Sequence, residues 1–174
     1  MNRRLTARAV LVTVLATTLV MGCGFKLRNS QNFAFQTVAV TPETGGAVAA
    51  ELVRNFGDAV RPVAPSRGGE LPEVIVDILQ EQREKTVVGV NATGQVREFQ
   101  LRIKVKFRMR TPQGRELIPE TEIAQQRDIS FNESAVLAKE AEEGLLYRDM
   151  QSDIVQQLLR RIAAVKSLGT PVAP

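Results

Sequence analysis

The chain has no histidine, no tryptophan and a single cysteine in 174 residues. Without histidine, Ser/His and Cys/His nucleophile pairs cannot be assembled, and His-based or multi-thiolate metal sites are excluded as well. Carboxylate chemistry is the remaining enzymatic route, since Asp77, Glu81, Glu122 and Asp128 fall on segments that read as strands. Charge neutralisation across a sheet accounts for them with less machinery, and no pattern marks a pocket that would perturb a carboxyl pKa. The chain therefore reads as a non-enzyme, with no cofactor and no metal.

Positive charge is also scarcer than the totals suggest. Lys and Arg number 23 against 19 Asp and Glu, but Arg3, Arg4 and Arg8 lie in an acid-free N-terminal stretch, and without them the balance is 20 against 19. A nucleic-acid partner is excluded on that balance, so any attraction for anions must come from local clustering.

The N-terminus reads as a secretory signal over residues 1–22. The three arginines form its basic region, and Ala9 to Met21 its apolar region, shorter than the roughly 20 residues of a spanning helix. The alternative is an uncleaved anchor. Val20-Met21-Gly22-Cys23 resembles the bacterial lipobox, which implies cleavage before Cys23 and lipidation of its thiol. A lone cysteine in a disulfide-permissive compartment has no intramolecular partner, and acylation gives it a role. A di- plus monoacyl group would hold the domain stably on a membrane, and Gly24 after the cysteine points to the periplasmic face of the outer membrane. Residues 23–32 follow as the lipidated start and a polar tether.

Residues 33–166 read as one domain. Phe33 to Val40 is a predicted strand, broken by Pro42 and Gly45-Gly46. Val48, Leu52 and Phe56 recur at helical spacing up to Gly57, a C-terminal stop. Val60 to Val63 predicts a brief edge strand containing Pro62, and Ala64 to Pro72 a loop. Three long strands then form a meander, roughly 73–88, 95–110 and 115–131, joined by turns at Asn91-Ala92-Thr93-Gly94 and Thr111-Pro112-Gln113-Gly114. The first of them becomes polar from Gln80 to Lys85, as if its second half projected beyond the core. From Ser134 to Val165 the residues Leu146, Met150, Ile154, Leu158 and Ile162 keep helical spacing, with Gly144 predicting a bend or break. Residues 167–174 predict a disordered tail. The whole implies an α+β fold, a two-layer sandwich with two helices on one face of a mostly antiparallel four-stranded sheet.

The sharpest pattern runs from Arg97 to Arg110. Phe99, Leu101, Ile103, Val105, Phe107 and Met109 alternate with Gln100, Arg102, Lys104, Lys106, Arg108 and Arg110, so one strand face is apolar and the other basic. Two readings of that row stand open. Glu81, Glu120, Glu122 and Asp128 on neighbouring strands can neutralise it, or a phosphorylated partner can relieve its self-repulsion.

Cys23-Gly24-Phe25-Lys26-Leu27-Arg28, Gly94-Gln95-Val96-Arg97-Glu98-Phe99-Gln100-Leu101 and Ala135-Val136-Leu137-Ala138-Lys139-Glu140, with Glu142, Glu143 and Met150 following, together resemble the lipopolysaccharide-assembly lipoproteins of the LptE family. The resemblance runs in order from Cys23 to about Leu168. It implies two helices on a four-stranded sheet, residence inside the outer-membrane β-barrel LptD, support of that barrel's assembly, and lipopolysaccharide binding during delivery to the outer leaflet. It further implies a lipopolysaccharide contact at Lys139. The family's second basic position, in the turn before the central strand, has no counterpart in Asn91 to Gly94, so its role falls to Arg97, with Arg102 and Lys104 behind it. The alternative of another class is a structural outer-membrane lipoprotein that tethers a different envelope component without binding lipopolysaccharide.

Overall fold

A computed structural model describes residues 32–64 and 69–168. The expected signal segment, Cys23, the expected tether up to residue 31 and the part of the expected tail from residue 169 lie outside the described residues. The elements are β1 (Val38–Thr41), α1 (Ala47–Phe56), β2 (Val74–Val90), β3 (Val96–Arg110), β4 (Glu116–Ser130) and α2 (Val136–Ala163), with short 3₁₀ turns at Gly57–Ala59 and Glu133–Ala135. The strands lie in the order β1-β2-β3-β4 in one sheet. β1 runs parallel to β2, which requires a crossover, and α1 supplies it. The two remaining pairings are antiparallel, as expected of a meander.

Alternation along β3 puts Leu101, Ile103, Val105, Phe107 and Met109 on the covered face, all fully buried. Against them pack Val48, Leu52 and Phe56 of α1 and Met150, Ile154, Leu158 and Ile162 of α2. Each such side chain contributes about 1.5–3 kcal/mol on leaving water. The fold is thus the α+β two-layer sandwich that the periodicities imply.

The first strand is shorter than its apolar run suggests, because Phe33 and Phe35 serve another purpose. They stack on each other at 5.1 Å between ring centres and pack on Phe56 at 5.3 and 6.2 Å, closing the end of α1. The expected strand at Val60 to Val63 reduces to one bridge between Val60 and Val38, with the Arg61 N–H donating to the Val38 carbonyl at 2.8 Å. Pro62 has no N–H to carry the ladder further. Gly144 does not break the last helix, which is continuous from Val136 to Ala163. A glycine inside a helix costs only about 1 kcal/mol against alanine, less than the buried stripe beyond it contributes. Leu168, within the expected tail, is partly buried against the core.

One irregularity in β2 governs which residues meet. Val74, Val76 and Ile78 face the helices, and Ile78 stands opposite Phe107. The register then slips: Gln80 stands opposite Lys106 and Glu81 opposite Val105, with Leu79 as the extra, exposed residue. This β-bulge reverses the facing of the residues after it as far as Val87, where the register shifts again. Glu81, Arg83 and Lys85 turn to the helix side, and Gln80, Gln82 and Glu84 to the open side.

Glu81 uses its position to cap α1. The helix has no side-chain cap of its own, and the Val48 N–H donates to the Glu81 carboxylate at 3.1 Å, where the helix dipole also favours a negative charge. Gly46 stands beside that carboxylate, and a Cβ there would collide with it. At the β2–β3 turn, Gly94 has φ 82° and donates to the Asn91 carbonyl at 3.0 Å, a conformation that favours glycine.

Candidate functional site

The open face of the sheet carries the basic row, and every cation in it is engaged. Asp77, with 8 % of its side chain exposed, accepts from Arg108 Nε and Arg110 Nε, each at 2.8 Å, and from the Thr41 hydroxyl at 2.6 Å. Burial alone would push the Asp77 carboxyl up, but the hydrogen bonds from Arg110, Thr41 and Arg108 outweigh it and hold the group below the usual carboxylate range. The same contact raises the Arg110 guanidinium. Lys104 pairs with Glu84 at 3.0 Å, and Lys106 with Glu120 at 3.9 Å. Arg102 donates to Gln100 and Gln126, both at 3.1 Å, and Gln100 donates onward to Asp128. Asp77, Glu84 and Glu120 therefore neutralise the row across strands, and Asp128 meets the Gln100 amide instead of a cation. Glu81 does not take part, because the bulge carries it to α1 and brings Glu84 in its place.

A different arrangement closes the helix side of the sheet, near the β2–β3 turn. Phe99 and Phe131 meet edge to face at 5.3 Å between centres. With Ile129 and Val136 they floor a recess of about 60 Å³, on whose walls stand Lys85, Lys139, Glu140 and Glu143. An open cleft of about 290 Å³ continues from it across Gly144 and Tyr147. Lys85 Nζ lies 2.6 Å from Glu143 and 4.4 Å from the centre of the Phe99 ring. Lys139 donates to Glu142 at 2.8 Å and to the Ser130 hydroxyl at 2.9 Å. Next along β2, Arg83 donates to Gln151 at 3.0 Å and lies over the Tyr147 ring. The Tyr147 hydroxyl, raised in pKa by burial and by the charge of Glu143, donates to the Glu84 carbonyl at 2.9 Å.

Of the four basic residues singled out in the sequence, only Lys139 lines the recess. Arg97 is exposed at the same end, and its carbonyl accepts from the Phe131 N–H at 2.7 Å. Arg102 and Lys104 belong to the open face, so the structure does not gather all four in one place. Sequence pattern does not single out Lys85 or Glu143 as site residues. The signal that could have found Lys85 is the doublet Ile78-Leu79, two apolar residues in succession where alternation demands one. Among the described residues no cluster of three or more potential metal ligands occurs, and no helix is long and apolar enough to cross a membrane.

Comparison with known proteins bears on these features. A family model for LptE, lipopolysaccharide-assembly, matches residues 30–162. The LPS-assembly lipoprotein LptE of Pectobacterium atrosepticum is 25% identical over 166 residues, spanning 89% of this chain and 84% of that protein. The solution structure of lipoprotein B from Nitrosomonas europaea superposes with a TM-score of 0.66 at 35% identity, covering 81% of this chain and 91% of the other. The minor lipoprotein of Acinetobacter baumannii shares the fold at TM-score 0.58 and 17% identity, with 80% and 100% of the two chains covered.

Proposed function

Because the chain belongs to the LptE lipopolysaccharide-assembly family, we propose that it is an outer-membrane lipoprotein, anchored through Cys23 on the periplasmic face, that plugs the LptD β-barrel and supports its assembly. In this reading it also binds lipopolysaccharide on the way to the outer leaflet. The work is non-covalent: cations engage phosphates while much of the remaining surface packs against the barrel wall.

The observation that carries the lipid contact is the recess beside Lys139. An ammonium stands there next to an aromatic floor, at the end of the sheet where Arg97 is exposed. Lys139 and Arg97 are the primary contacts. Arg102 and Lys104 take a lesser part, since Glu84 and Gln126 already engage them.

Two measurements test this. Lys139→Glu combined with Arg97→Glu weakens lipopolysaccharide binding about tenfold or more, the size of one lost charge-assisted contact, while barrel copurification persists. Undiminished lipid binding by that double variant would refute the assignment. Cys23→Ala yields a protein that still copurifies with the barrel, because the protein interface and not the acyl group dominates. Recovery of some other envelope component in place of the barrel would favour a simple tether.

A further inference from the structure

We propose that Lys85 and Lys139 form a two-ammonium clamp for one phosphate monoester of a lipid headgroup, and that Glu143 and Glu142 occupy those ammoniums until the phosphate displaces them. This deepens the lipopolysaccharide-binding reading above and rests on it. Lys85 comes from β2 and Lys139 from α2, and they stand on the wall of the same recess. Each already holds one carboxylate, at 2.6 and 2.8 Å respectively. A phosphate monoester presents three oxygens and close to two negative charges, and so can accept from both ammoniums at once where each glutamate accepts from one.

Both acids can be displaced at a cost that differs between them. Glu142, 49% exposed and paired within one helix turn, is weakly held, while Glu143, 22% exposed, is the firmer competitor. The recess does not attract anions in general, because Glu140 joins Glu142 and Glu143 against the two lysines. Only an anion of high charge with additional contacts competes. Those contacts are at hand: Val88, Val90 and Leu137 are exposed at this end of the molecule, Leu137 by 82%. The recess itself, at about 60 Å³, has room for roughly two waters and not for an acyl chain. Hydrocarbon must lie along the aliphatic rim, with the phosphate at the lysines.

The exchange predicts opposite effects from the two signs of charge. With the full-length protein and lipid A in detergent micelles, Lys85→Gln weakens binding about tenfold and Lys85→Arg restores most of it. Glu143→Gln tightens binding about threefold, since it removes the competitor without touching a cation. Neither change alters binding of dephosphorylated lipid A, and equimolar inorganic phosphate does not displace the lipid. If Lys139→Glu abolishes binding while Lys85→Gln and Glu143→Gln bind as the parent does, the clamp is refuted and the broader reading survives. If Lys139→Glu binds normally, the broader reading fails with it. Displacement by inorganic phosphate would overturn the commitment to a lipid headgroup. Glu143→Gln leaves every buried contact in place, so its sign decides the matter even if Lys85→Gln folds poorly.

Discussion

The two faces of the central sheet carry similar cations in opposite circumstances. On the open face, Arg108 and Arg110 converge on one nearly buried carboxylate, Lys104 and Lys106 each meet a glutamate of a neighbouring strand, and Arg102 is held by two glutamines. On the helix side, Lys85 and Lys139 hold two carboxylates of α2, the partly buried Glu143 and the exposed Glu142. The open face has more charge, and its firmest contact is the nearly buried Asp77, 8% exposed, which two guanidiniums share. No acid of the recess is buried to that degree, Glu143 being 22% and Glu142 49% exposed. Number of cations is therefore a poor guide to an anion site, and the cost of freeing them a better one.

The largest test of this contrast is Asp77→Ala. It leaves Arg108, Arg110 and the Thr41 hydroxyl without their shared acceptor, and we expect a loss of about 1.5–3 kcal/mol, the range for hydrogen bonds to charged groups, read as a lowered urea midpoint with unchanged slope. A loss below about 0.5 kcal/mol, the scale of ordinary surface changes, would place the open face on a par with the recess. The same carboxylate sets a pH dependence. Its folded pKa is depressed, so its stabilisation is complete above the unfolded value of about 3.9 and is lost as pH falls through the folded value. The gap between the parent and Asp77→Ala should accordingly be widest near neutral pH and close in acid.

An intermediate effect is expected for Lys104→Gln. It removes a half-exposed pair with Glu84 and should cost at most about 1 kcal/mol of stability. Its lipopolysaccharide binding should fall less than that of Lys139→Glu; a larger fall would invert the ranking of the two faces. The smallest change is a gain. Gly144 lies on the helix beside the cleft, and a methyl group added to its Cα would meet nothing within 4 Å. Gly144→Ala should therefore raise the thermal midpoint, by the equivalent of about 0.5–1 kcal/mol, without displacing Lys85 or Glu143.

Much of the architecture was legible in the chain because periodicity is a local property. The alternation from Phe99 to Met109 and the helical stripe from Met150 to Ile162 each identify an element and its buried face without reference to anything distant. Lys139 was legible only through resemblance to a family, since one lysine near a helix start carries no signal of its own. Lys85 was not legible, because its neighbours Gln80 to Lys85 read as a polar strand end clear of the core. That half of β2 does stand clear of the core, largely exposed, yet two of its side chains reach α2, Arg83 through Gln151 and Lys85 through Glu143.

By itself, then, the sequence determined the long elements, the identity of the core stripes and the exclusion of histidine-based chemistry. The tertiary structure alone decided which charges meet. That decision rests on the single extra residue at Leu79, where two apolar side chains follow one another and the strand slips by one against β3. Side chains alternate with period two, so one inserted residue exchanges the faces of those that follow, here up to the next shift after Val87. It sends Glu81 to cap α1, Glu84 to quench Lys104, and Lys85 into the recess with Lys139.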